Sequence, residues 1–455
     1  MALLYNNLLI NMHSNKYQPF LFNLMSGRRR LLNADEFKSV CTMRELDDCA
    51  KYGRYEKMLF EKLINEKQFL TDENRNIIES KMIDTGYFNT KHTFSDKLDF
   101  KIELTRGCNM RCVYCYVKSL INNNIYMTPA HIDAIYNFLS GYSDSKNKVE
   151  HVQTIEITGG ETLLNETTLR LINYVSKKWP HSKLNLLTNG VNLLKFYGQL
   201  PLKSIGQVKI SLDGTEDVHL HRRYSGKIVD RQIYTNIING IKQLLKDNVA
   251  VSIQSVIDKN SYQSFEHLVS LLENEKINCA SHFEHFTSVV SDYSDPLDLN
   301  INFNSKEDVN KISEYFIKRG YQPHHFLPSS VSLLRALSRA ANEPMTLKHQ
   351  RCRSDFLANY YFACDGNVYF CDCIENGKGV VGTYFPHASI DRDAISVLQN
   401  RSVMNHNKCR HCAYKFVCLG GCILSSLYKN EEMSCGIYGD DEILDNLKFD
   451  LFSKT

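Results

Sequence analysis

The sequence predicts an α/β fold: a partial (β/α)6 TIM-like barrel, with a small domain ahead of it and a cysteine-rich domain behind it. Three observations predict this. From Asp99 onward, short apolar strands alternate with longer helical patterns through six βα units, which gives a parallel sheet with helices outside. Ahead of these units lies a hairpin pattern followed by helices. Behind them the cysteines crowd together, with nine of the chain's 15 falling from Cys352 on.

The 455 residues suffice for two or three domains around a sizeable main core. In residues 1–95, segments 17–23 and 28–32 are strand-like. Ser26-Gly27 between them is a turn signal, so they form a hairpin. Asn33 or Asp35 caps a helix reaching Met43. Further helical patterns cover Tyr55–Glu66 and Glu73–Ile83, the latter behind Asp72 as cap. The barrel occupies 96–320. Its strands are 100–105, 154–158, 184–188, 207–212, 250–257 and 280–286. Its helices are 129–140, 166–179, 191–199, 231–246, 261–275 and 306–319. Residues 321–345 are a linker or bridging helix, 346–440 the cysteine-rich domain and 441–455 a tail.

Composition excludes several classes. A net charge of +3, from 54 basic and 51 acidic residues, does not point to nucleic acid. No run of eighteen apolar residues occurs, so no membrane span is expected. Met1–Asn11 has neither a basic leader nor a small-residue cleavage site and does not read as a signal peptide. A cytoplasmic, oxygen-averse setting is expected, with cysteines ligating metal rather than forming disulfides.

In open parallel sheets, ligands gather at the carboxyl ends of strands. The distinctive residues of this chain sit there. Cys108, Cys112 and Cys115 follow the first strand, Gly159-Gly160-Glu161 the second, Thr188-Asn189-Gly190 the third and Asp213-Gly214 the fourth. Three thiolates at this spacing can grip one face of a cubane. A [4Fe–4S] cluster needs four ligands, so one iron stays open to something that is not protein. Zinc favours a closed set of four, and no fourth cysteine lies near.

The Cys-x3-Cys-x-aromatic-Cys run, with Tyr114 as the aromatic, resembles the radical S-adenosylmethionine (SAM) superfamily. That resemblance implies a cluster on Cys108, Cys112 and Cys115 whose open iron chelates SAM. It also implies reductive cleavage of SAM to a 5′-deoxyadenosyl radical. Gly159-Gly160-Glu161 resembles the family's glycine-glycine-glutamate-proline motif, which approaches the methionine amino group, with Thr162 in the proline position. Ser211-Leu212-Asp213-Gly214 resembles another family segment and makes Ser211 a contact for the SAM carboxylate or ribose. Asn189 joins the SAM-facing set. Gln254 stands where relatives carry a polar SAM contact, and the reading as an ordinary strand residue is equally open. Tyr114 is expected to cover the cluster and meet the adenine. In His219-Leu220-His221-Arg222-Arg223, Leu220 replaces a family acid.

The series Cys409, Cys412, Cys418, Cys422 and Cys435, with Cys352 and the Gly366-x4-Cys371 hairpin upstream, resembles the SPASM extension. By resemblance it binds two auxiliary [4Fe–4S] clusters, for three in all. Cys409, Cys412, Cys418 and Cys435 would hold the outer one, and Cys352, Cys371 and Cys422 the inner one. The inner cluster's fourth position is open: Cys364 and Cys373 are spare, and a substrate thiolate is another occupant. Zinc is the alternative metal. In the related anaerobic sulfatase-maturing enzymes an aspartate at the position of Asp372 is the catalytic base. A role as a hairpin residue that fixes Cys371 stands beside it.

Residues 1–95 resemble the winged-helix peptide-recognition domain of peptide-modifying enzymes, and a cap on the barrel is the other reading. The resemblance implies a radical SAM maturase acting on a ribosomally made precursor peptide, installing a thioether or carbon crosslink. A flavodoxin or ferredoxin would be the electron donor. The alternatives are formylglycine formation on serine or cysteine, peptide epimerisation, and a non-catalytic iron–sulfur protein that carries electrons or binds a leader.

Overall fold

The computed structural model describes residues 7–10, 20–23, 29–46, 49–66, 99–115, 117–142, 152–224, 230–289, 315, 359–372, 378–399 and short stretches of 401–433. At the amino end, β1 (Asn7–Ile10), β2 (Phe20–Asn23) and β3 (Arg29–Leu31) form an antiparallel sheet in that order. The expected hairpin is β2–β3, and β1 is an addition to it. Asn33 is the cap of α1 (Ala34–Leu46): its Oδ1 accepts the Glu36 N–H at 2.8 Å, while Glu36 accepts the Asn33 N–H at 3.2 Å. With α2 (Arg54–Asn65), this unit buries Leu21, Leu32, Val40, Met43, Leu59 and Leu63 in a core of its own. Arg30 pins its two helices together through Glu36 and Glu66, at 2.5 Å each. The expected helix at 73–83 lies outside the described residues.

The six barrel strands run parallel in sequence order: β4 (Asp99–Glu103), β5 (Thr154–Thr158), β6 (Lys183–Thr188), β7 (Ile205–Ser211), β8 (Ala250–Ile257) and β9 (Phe283–Val289). Between them lie α3 (Pro129–Tyr142), α4 (Glu166–Lys178), α5 (Leu193–Phe196), α6 (Glu216–Arg223), α7 (Gln232–Lys246) and α8 (Phe265–Asn274). Side chains alternate along each strand. Phe100, Ile102, Ile155, Ile157, Leu184, Leu186, Val208 and Ile210 are buried in the main core. The residues between them face the other way, and the register sets Lys101 beside Glu156 and Glu156 beside Asn185. Of the helix expected at 306–319 only Tyr315 is described, and its hydroxyl donates to Glu266 at 2.9 Å.

Among the described residues the sheet does not close on itself: β9 pairs only with β8, and the free edge of β4 is taken by β10 (Asn359–Phe362). From there β11 (Asn367–Tyr369), β12 (Val380–Thr383) and β13 (Ser389–Ile390) continue outward as an antiparallel meander. The carboxyl-terminal part is therefore sheet-continuous with the barrel: β10 runs parallel to β4, and Phe362 packs edge-on against Phe100 at 5.6 Å and Phe138 at 5.7 Å. Two more helices, α9 (Arg392–Gln399) and α10 (Ile423–Lys429), complete the described elements. No described helix is long and apolar enough to cross a membrane.

The hairpin direction positions the site. Tyr361 pairs with Lys101 on one side and with Tyr369 on the other. Because β11 runs back, Cys371 and Asp372 emerge where β4 begins. The Cys108–Cys115 loop emerges where β4 ends.

Candidate active site

The cysteine loop is built by local bonds. Thr105 Oγ1 accepts the Gly107 N–H at 2.9 Å, and Asn123 Oδ1 accepts the Cys108 N–H at 3.0 Å. Cys108, Cys112 and Cys115 are all half-buried. Burial, reinforced by nearby Glu161, pushes the Cys108 thiol up to about 12. Burial pushes Cys112 up to about 11 despite the Arg223 guanidinium, and it also raises Cys115. The Cys108 thiol feels the charges of the other two. Among the described residues no three Cys, His, Asp or Glu side chains are grouped closely enough to hold a single metal ion.

Gly159 and Gly160 are required by close approach to this loop. A Cβ on Gly159 would lie 2.6 Å from the Thr105 carbonyl oxygen, and one on Gly160 would lie 2.4 Å from that of Gly107. In that gap the Gly160 N–H donates to Thr105 O and the Glu161 N–H to Gly107 O, both at 2.8 Å. Glu161 is buried and its carboxylate is consumed locally. It accepts the Thr188 hydroxyl and the backbone N–H groups of Asn189 and Leu163, at 2.5, 2.7 and 2.8 Å. Asn189 then donates to Asn109 Oδ1 at 2.7 Å, tying the third-strand turn to the cysteine loop. Thr162, in the family's proline position, is fully buried and its hydroxyl donates to Leu187 O at 2.5 Å.

Tyr114 sits in a cluster of charges. Its hydroxyl donates to Asp213 Oδ2 at 2.5 Å, and the guanidinium carbons of Arg222 and Arg223 lie 4.9 and 5.7 Å from its ring centre. Arg223 grips Asp213 with Nε at 3.0 Å and Nη2 at 2.9 Å. Burial opposes ionisation of Asp213, but Arg223 and Arg222 outweigh it and hold the carboxyl at about 2. Asp213, Arg222 and Arg223 were not singled out as site residues by sequence. The turn motif around Asp213 and the paired arginines were the only signal. Ser211 and Gln254 are half-buried register partners on β7 and β8, and Gln254 donates to Ser288 at 3.2 Å.

From the middle of β4, Lys101 bridges Asp372, which lies by the strand's start, at 2.6 Å and Glu156 at 2.7 Å. Burial opposes the charge on Lys101, and the two carboxylates more than restore it. Asp372 is held below its ordinary range, since Lys101 outweighs burial. Cys364 points elsewhere: its thiol and its N–H both meet Glu103 Oε2, at 3.2 and 3.1 Å. Cys371 and Cys409 are half-buried and Cys409 N–H meets His406 Nδ1 at 3.4 Å. The other cysteines expected to bind auxiliary clusters, Cys352, Cys412, Cys418, Cys422 and Cys435, lie outside the described residues, as does Cys373.

Residues 102–272 match the model of the Radical SAM superfamily. This segment is a radical SAM domain. Among curated relatives, the GTP 3′,8-cyclase of Campylobacter jejuni is 27% identical over 184 residues, 40% of this chain and 54% of that protein. The chain thus spans about half the length of the curated relatives it matches first. A cysteine-type anaerobic sulfatase-maturating enzyme of Clostridium novyi is 24% identical over 341 residues, 70% of this chain and 85% of that one. Among solved structures, Streptococcus suis SuiB bound to the precursor peptide SuiA superposes with TM-score 0.55 at 15% identity, covering 95% of this chain and 97% of SuiB. The sulfatase-maturating enzyme anSMEcpe with bound AdoMet gives 0.53 at 16% identity, covering 77% and 96%. These likenesses establish the fold.

The residues of the radical SAM domain fit an iron–sulfur cluster. Three soft thiol donors come from one short loop, and burial raises the pKa of each. Soft donors of this kind select iron–sulfur clusters.

Proposed function

We propose that the chain is a radical SAM maturase of a ribosomally made peptide. Cys108, Cys112 and Cys115 would hold the SAM-binding [4Fe–4S] cluster. Gly159, Gly160, Glu161, Asn189, Ser211, Gln254 and Tyr114 would surround SAM. Cys352, Cys371, Cys409, Cys412, Cys418, Cys422 and Cys435 would hold two auxiliary clusters, residues 1–95 would dock the leader, and a flavodoxin or ferredoxin would supply electrons. When bound, SAM and the clusters supply a hydrogen-abstracting 5′-deoxyadenosyl radical and an acceptor for the electron left over.

The observation that carries this reading is the two-ended site: a three-cysteine loop at one end of β4 and a paired carboxylate, Asp372, at the other. Asp372 would accept the proton lost by the substrate side chain as the new bond forms. Lys101 keeps that carboxylate ionised and aimed. The precursor-bound SuiB structure, which shares the fold over nearly the whole chain, supports a peptide as substrate. A second reading, formylglycine formation, is favoured by the same Asp372 and by the likeness to sulfatase-maturating enzymes.

The test is anaerobic coexpression with a short peptide encoded beside the gene, followed by mass spectrometry. A loss of two hydrogens per event, located by fragmentation to a new bond between residues, is expected. The same loss on a single serine, or that loss together with exchange of sulfur for oxygen on a cysteine, with aldehyde reactivity in either case, would favour formylglycine. Alanine at Cys108, Cys112 and Cys115 together is expected to abolish 5′-deoxyadenosine formation, and retained formation would sink the assignment.

A further inference from the structure

The carboxyl end of α6 is stitched to the cysteine loop. The N–H groups of Arg111 and Val113, on either side of Cys112, donate to the carbonyls of Arg223 and Arg222 at 3.0 and 2.9 Å. These are last-turn carbonyls with no partner inside their own helix. The Arg223 side chain then folds back over the same loop. Two of its nitrogens hold Asp213, and the third, Nη1, lies 4.0 Å from the Cys112 sulfur. Asp213 in turn takes the Tyr114 hydroxyl on Oδ2 and the Val256 N–H on Oδ1, the latter at 3.1 Å. One buried ion pair therefore fixes both the aromatic of the motif and the middle cysteine. Arg223 is 5% exposed and Asp213 1%, so solvent does little to screen either charge.

We propose that Arg223 is a positioning residue that orients Cys112 and raises the reduction potential of the cluster bound there, with Asp213 as the opposing charge that sets how far. The proposal rests on the reading that Cys108, Cys112 and Cys115 hold a cluster. Potentials of iron–sulfur centres follow net charge and hydrogen bonds to the sulfurs, and partners behind the ligands tune both. Removing the cation and removing the anion must then move the potential in opposite directions, which a purely structural role for the pair does not predict.

The experiment is a redox titration of the reconstituted full-length chain, followed by electron paramagnetic resonance. The signal that changes on adding SAM identifies this cluster. Arg223→Gln is expected to shift its midpoint to more negative values and Asp213→Asn to more positive ones, with Arg223→Lys near the wild type. An unchanged midpoint in both neutral variants, or a shift of the same sign in both, overturns the proposal. If Arg223→Gln retains no cluster, Arg223→Lys decides: restored iron supports the positioning role, and an equally empty protein overturns it. A wild-type chain with no SAM-sensitive cluster overturns the underlying reading as well. A wild-type cluster whose midpoint ignores both charges overturns this inference alone.

Discussion

His219 is fully buried behind the Asp213 turn, where its Nδ1 accepts the Asp213 N–H at 3.3 Å. Its Nε2 has no hydrogen-bond partner among the described residues. Burial, with Arg223 nearby, lowers its pKa from 6.5 to about 3, and Asp213 only partly opposes this. Between those values the unfolded chain carries a proton that the folded chain refuses. Acidification through that window therefore destabilises the fold, by up to about 1.4 kcal/mol per pH unit. His219→Leu is expected to flatten the slope of unfolding free energy against pH near pH 5 by about one proton. An unchanged slope would show that His219 is protonated in the folded state. The three-cysteine run stood out in the sequence because its spacing is local. Asp213 stood out only as a turn residue, and its pairing with Arg223 was hidden because each stands about a hundred positions from the loop it braces, and charge alone does not announce a partner.

Among the elements, the turn after β5 tolerates little change. Both of its glycines face backbone rather than flexible side chains, so neither neighbour can move aside. Gly160→Ala is expected to displace the cysteine loop while leaving the sheet intact. Iron content after reconstitution should fall well below the wild type with the circular dichroism unchanged, and full iron loading would contradict the packing argument. Helix α4 begins with a reciprocal cap, Asn165 accepting from Thr167 and Thr168 while Thr168 answers the Asn165 N–H. Asn165→Ala is expected to cost about 1 kcal/mol, read from denaturant unfolding; no loss would mean the cap is redundant. The barrel strands were legible because buried apolar residues alternate along them. β1 was not, since Asn7–Ile10 shows no such alternation. β10 was not recognised as a barrel neighbour because its partner β4 lies some 260 positions earlier.

For the whole molecule, continuity of the sheet means the carboxyl-terminal part is no detachable module. A chain ending at residue 320 would uncover the edge of β4 and the apolar surface that Phe362 covers on Phe100 and Phe138. Such an edge invites aggregation, so the fragment is expected to be insoluble; a soluble, folded fragment would refute the structural dependence. Asp372→Ala is expected to leave SAM cleavage running while product formation stops, and Lys101→Met to mimic it with a weaker loss. Normal product from Asp372→Ala would reduce that residue to a support for Cys371. The placement of the cysteine loop and Asp372 at the two ends of one strand carries a further consequence. From Lys101 to Thr105, where the cysteine loop departs, the backbone rises four steps, roughly 13 Å. β4 is in effect a ruler laid between the two. Any insertion or deletion within those few residues resets the spacing from the thiols to the carboxylate.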